Sequence, residues 1–148
     1  MPCAKRWRRT SVRLPDVWVL GGILWSVALC HFDVTQRRLP NWLTVPAAIV
    51  ALIFAAIVAP HSFAGLIWPL TYLFVGLVLG GVGGGDIKLA ISLGIVVAFH
   101  AGILGVCVAM ATSSMITALV AWALKQAATA HGPSMLIASW LCAIIVHH

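Results

Sequence analysis

The chain is predicted to be an all-α, polytopic transmembrane helix bundle of about six spans. Three observations predict it. Of its 148 residues, 62% are apolar and only 8% charged, whereas soluble domains carry roughly 25% charged residues. The apolar residues fall in runs of span length divided by short polar or glycine-rich breaks. Only three residues are acidic, Asp16, Asp33 and Asp86, and the last two sit where apolar runs meet such breaks. Five or six spans with short connections fill this length, so one membrane domain is expected over 17–146, behind a basic tail over 1–16.

The tail holds Lys5, Arg6, Arg8, Arg9 and Arg13 around Trp7, and supplies most of the net charge of +6. A basic stretch abutting an apolar one binds anionic lipid head groups or sets topology; nucleic acid is not an expected partner. The first span runs from about Val17 to Phe32, with Pro15 and Asp16 suiting a helix start. It lacks a small-x-small cleavage site, so it reads as a retained helix rather than a signal peptide. A polar turn is expected over 33–41, then a second span from about Trp42 to Ala59 that tolerates Pro46. Pro60-His61-Ser62 closes it, and a third span runs from about Phe63 to Val82.

After Gly83-Gly84-Gly85-Asp86-Ile87-Lys88 the chain is apolar almost unbroken to Leu124. As one helix, 87–124 would be about 57 Å long, against a hydrocarbon core of about 30 Å. It must fold back once, and His100-Ala101-Gly102 is the expected break, separating a short fourth span from a fifth over about 103–124. A loop from Lys125 to Pro133 and a short sixth span over Ser134–Val146 complete the map. Cys3, Cys30, Cys107 and Cys142 form no C-x-x-C pair and have no histidine at zinc-ligand spacing. They read as small hydrophobes, and no metal or cofactor is expected.

Asp33 and Asp86 are separated by two spans, which return the chain to the face it left. Both carboxylates are therefore expected at one face. An ionised carboxylate near the middle of a membrane helix costs roughly 2.5–3.5 kcal/mol on insertion scales, so such residues usually serve a site. A pair at one depth could share a proton as an aspartic protease dyad does, one member taking a proton from water and the other giving one to the substrate. The run Gly80, Gly81, Gly83, Gly84 and Gly85 leaves a stretch almost without side chains, where a backbone can approach closely or helices can simply pack. No G-K-[ST] follows, which excludes a P-loop.

Asp33 followed by Arg37-Arg38-Leu39-Pro40-Asn41-Trp42-Leu43-Thr44 resembles the first motif of the type IV prepilin peptidases. Gly83-Gly84-Gly85-Asp86-Ile87-Lys88-Leu89 resembles their GxGD signature. The two in order, two spans apart, are specific together, and the resemblance covers about Val17 to Leu124. It implies a membrane aspartic endopeptidase at the cytoplasmic face of the bacterial inner membrane, with Asp33 and Asp86 as catalytic pair. The implied substrates are prepilins and pseudopilins, cut just ahead of their apolar helix for pilus biogenesis or type II-like secretion, with pilus-assembly machinery as a further partner.

The chain is similar to the short family members found with Flp-type, tight-adherence pili. It lacks the paired C-x-x-C insertion of the longer, N-methylating members, so methyl transfer is not predicted. Gly83, Gly85, Lys88 and Asn41 are the supporting candidates. On a helix Lys88 projects about 200° from Asp86, so the two are not expected to pair. Lys88 reads as a phosphate-seeking snorkel or a substrate-positioning group, Asn41 as a loop or substrate hydrogen-bonder, and Arg37 and Arg38 as head-group anchors.

Topology by charge is undecided: six spans leave five basic residues on one side and Arg37, Arg38, Lys88 and Lys125 on the other. The resemblance implies that the aspartate loops face the cytoplasm. The rival reading is a non-enzymatic bundle, a small transporter or assembly scaffold, using the aspartates for ion coupling. The halves of the chain show no internal symmetry of the kind transporters often carry.

Overall fold

A computed structural model describes residues 14–125 and 130–146, and all regular structure among them is helical. The basic tail lies outside these residues up to position 13, as does 126–129 of the expected loop. The first helix, α1, spans Leu14–Gln36 and runs a turn beyond the predicted end at Phe32. No helix breaker occurs before Pro40, and the Thr35 hydroxyl donates to the His31 carbonyl at 2.6 Å. Arg37, with φ of 50°, then closes the helix as its amide donates to the Asp33 carbonyl. Asp33 thus belongs to the last turn of a helix and not to a polar turn as predicted.

Helix α2 (Asn41–Ile57) starts directly after Pro40, whose extended backbone caps it, and carries Pro46 in its second turn. A 3-10 helix, Pro60–Leu66, runs into α3 (Ile67–Val78). The third segment is therefore not one plain α-helix and ends earlier than the predicted Val82. The reason is local: Gly80 and Gly81 take φ of 71° and 85°, which glycine alone adopts without strain.

Helix α4 spans Gly84–Leu124 with one interruption, Gly102 at φ 63° and ψ −168°. The break falls inside the predicted His100-Ala101-Gly102. A straight helix would separate Asp86 from Thr117 by about 46 Å. Instead Asp86 shares a cavity with Asp33, Asp33 accepts a hydrogen bond from Gly132, and Thr117 bonds the adjoining His131. The two halves of α4, 84–101 and 103–124, therefore fold back on each other. Lys125 ends the second half in a left-handed cap, and α5 (Gly132–Val146) returns along the bundle.

Val19–Gln36, Pro60–Val78 and Gly84–Leu124 are long and apolar enough to cross a membrane, while Asn41–Ile57 and Gly132–Ile145 are shorter apolar helices. The all-helical membrane bundle is as predicted; length alone does not reach six full crossings. Packing also fits lipid as the solvent. Large side chains such as Leu24, Phe74, Leu77, Leu104 and Trp122 face outward, while Ser26, Thr44, Ala55, Ser62 and Ser113 are buried. Small and hydroxylated residues inside let helices approach closely when no hydrophobic effect drives them together. The 3-10 helix and α4 approach closely, and a Cβ on Gly65 would overlap the Gly94 carbonyl and one on Gly94 the Gly65 carbonyl oxygen. Indole donors tie the remaining helices: Trp25 Nε1 to the Leu43 carbonyl at 3.2 Å, and Trp140 Nε1 to Ser26 Oγ at 3.1 Å.

Candidate active site

Because α1 continues through Gln36, the Asp33 side chain is carried on a rigid turn and is only 6% exposed. Its Oδ2 accepts a hydrogen bond from the Gly132 amide at 2.8 Å. Asp86 is the third residue of α4, whose first turn is set by the Asp86 amide donating to the Gly83 carbonyl at 3.0 Å. Both carboxyl groups line one cavity of about 490 Å³, walled also by Gln36, Arg37, Arg38, Leu39, Pro40, Asn41 and Gly83, Gly84 and Gly85. The expectation that the two aspartates meet at one face is thus met in the geometry. The cavity lies where α1 ends and α4 begins, at the polar ends of apolar helices.

The supporting candidates separate into distinct positions. A Cβ on Gly85 would lie 2.9 Å from Leu39 Cβ, so its absence lets the start of α4 press against the loop between α1 and α2. That contact brings the two sequence motifs together. At Gly83 a Cβ would lie 3.2 Å from Asp86 Oδ2, directly in the carboxyl's space. Lys88 Nζ donates to Asn41 Oδ1 at 2.8 Å and links α4 to α2. Arg37 and Arg38 are exposed at the cavity rim.

Sequence reasoning missed His131, left in an unassigned loop. Its Nε2 lies 2.6 Å from Tyr72 Oη and its Nδ1 2.6 Å from Thr117 Oγ1. Burial pushes this imidazole below its ordinary pKa. No local signal marks the residue, because these partners lie 59 and 14 positions away in the chain.

Two aspartates lining one cavity, at the polar ends of apolar helices, can divide proton removal and proton donation in the hydrolysis of an amide. The chain matches the model of the type IV leader peptidase family over residues 20–147. No curated protein and no solved structure matches it. A family match of that extent runs from the first helix into the last and takes in both aspartate segments: the chain belongs to the type IV leader peptidase family, and its bundle is that of a membrane peptidase.

Proposed function

We propose that the protein is an aspartic endopeptidase that removes the leader from type IV prepilins or pseudopilins at the cytoplasmic face of the bacterial inner membrane. The observation that carries this reading is the opening of Asp33 and Asp86 onto one cavity. In the proposed reaction, one carboxylate takes a proton from water as the oxygen adds to the scissile carbonyl carbon. The other carboxyl, protonated, donates to the carbonyl oxygen; the proton taken from water then passes to the leaving amine as the C–N bond breaks, and a hydroxyl proton of the intermediate returns to the second carboxylate as the C=O bond re-forms. A cavity at the ends of α1 and α4 suits a peptide bond at the head of a substrate's apolar helix, where the basic leader stays in water and the helix in lipid. Methyl transfer forms no part of the proposal. The test is incubation of the protein in liposomes with a candidate prepilin, read by mass spectrometry for the released leader. A mature pilin cut ahead of its apolar helix supports the reading, and an intact substrate across a panel of prepilins refutes it.

The glycines give a graded prediction. Gly85→Val is expected to lower cleavage at least about a hundredfold, because its branched side chain forces α4 away from Leu39 and separates the aspartates. Gly83→Ala, whose methyl meets only the end of the Asp86 side chain, should lower kcat by about tenfold while leaving the fold intact. Wild-type rates in both variants would mark these glycines as a generic flexible loop.

Sidedness is testable by single cysteines in a background lacking the four native ones. Gln36 and Gly84 are exposed on either side of the cavity mouth and should label from one side, the cytoplasmic one. Ser62, between the second and third segments, is fully buried with its hydroxyl on the Ala59 carbonyl. The exposed neighbour His61 is therefore the better reporter and should label from the opposite side. Labelling of Gln36 and Gly84 from different sides would exclude a shared site.

A further inference from the structure

The half-buried polar cluster around His131 is unused by the reaction as proposed above, yet it is bonded at every imidazole nitrogen. His131 joins Tyr72 of α3 and Thr117 of the second half of α4. Ser134, in the first turn of α5, bonds Thr117 Oγ1 at 2.5 Å and donates to the His131 carbonyl at 2.6 Å. Tyr72 Oη also lies 3.4 Å from Ser113 Oγ, and Thr117 Oγ1 donates to the Ser113 carbonyl. The start of α5 is thus held to two other helices through one ring. The next residue along the chain, Gly132, donates its amide to Asp33.

The ring is bonded at both nitrogens, Nε2 to the Tyr72 hydroxyl and Nδ1 to the Thr117 hydroxyl, and its burial disfavours the charged imidazole. Glycine at 132 is also required: a Cβ there would lie 2.6 Å from Asp33 Oδ2.

We propose that His131 is a positioning residue for Asp33: bridged between Tyr72 and Thr117, it docks the first turn of α5 so that the Gly132 amide holds the Asp33 carboxyl in its working orientation. The inference rests on the dyad reading of Asp33 and Asp86. It adds a second tether to Asp33, from the opposite end of the chain. A displacement of about 1 Å at a reacting group can cost roughly a hundredfold in rate. Loss of the docking ring should therefore appear in kcat, while KM stays within about twofold because no substrate contact is removed.

His-Gly occurs once in the sequence, at 131–132. Carbonyl-13C histidine with 15N glycine therefore gives a single amide signal, that of Gly132, from the full chain in detergent micelles. In a Tyr72→Phe/Thr117→Val double variant, which keeps this dipeptide, the Gly132 amide should exchange with solvent at least about tenfold faster. Leader release by the same variant should fall at least about tenfold in kcat at unchanged KM. His131→Ala should show the same loss, and Tyr72→Phe should add little to it, since both remove one clamp. Unchanged amide exchange, or wild-type kcat in the double variant, overturns the proposal while leaving the dyad in place. Retained cleavage by Asp33→Asn would instead overturn the dyad, and the exchange measurement still decides whether the ring docks Gly132 on Asp33.

Discussion

Asp33→Asn and Asp86→Asn are each expected to reduce leader release by at least about a thousandfold while the protein remains folded in the membrane. An amide has the shape of a carboxyl but does not exchange protons at neutral pH, and acid–base groups of this kind contribute about 10²–10⁴-fold each. At position 33 the substitution also keeps an acceptor for the Gly132 amide, the one hydrogen bond on the Asp33 carboxyl among the described residues. The fold should therefore survive, and the loss can be assigned to chemistry. Parallel thermal unfolding in detergent checks that assignment. Turnover by either variant within tenfold of wild type would remove the carboxylate pair from the mechanism. Inhibition at stoichiometric levels by serine or thiol reagents would do so equally, because the proposed reaction uses no such nucleophile.

The largest effect on stability is expected at Gly65 and Gly94. Their backbones meet at the crossing of the 3-10 helix with α4, and the atom each new Cβ would strike is a main-chain carbonyl, which cannot rotate aside as a side chain does. Gly65→Ala or Gly94→Ala should cost about 1–3 kcal/mol, the usual range for overpacking. Valine at either position should largely abolish recovery of folded protein. Gly21→Ala is the control: it lies in α1 with open space around its Cβ position, and removing a helical glycine there should be neutral or stabilise by up to about 1 kcal/mol. Equal unfolding temperatures for Gly94→Ala and Gly21→Ala would show that the crossing is looser than described.

Much of the architecture was legible because a bilayer imposes lengths. Apolar runs located the five helical segments, and the excess length of 87–124 required a break that Gly102 supplies. The scarcity of acids singled out Asp33 and Asp86, and counting two spans between them was enough to expect both at one face. Local backbone chemistry was read less well. Asp33 was assigned to a turn because 33–41 is polar, but polarity does not end a helix that still satisfies its own amides, and α1 continues to Gln36.

What only the tertiary structure decided is which side chains meet. In water, the apolar stripe of a helix tells which face turns inward. In lipid both faces are apolar, so the hydrophobic pattern does not give a helix's rotation, which close packing and hydrogen bonds between helices set instead. That is why the sequence named Asp33, Asp86 and the glycines before Asp86 but could not anticipate Gly65 against Gly94, Gly85 against Leu39, or Lys88 on Asn41. His131 lies deepest in that blind spot, since its ring is given meaning by Tyr72 and Thr117 and its neighbour Gly132 by Asp33, 99 residues earlier. Span lengths and rare charges are properties of the chain read in order; the contacts that orient a catalytic carboxyl exist only once the helices have packed.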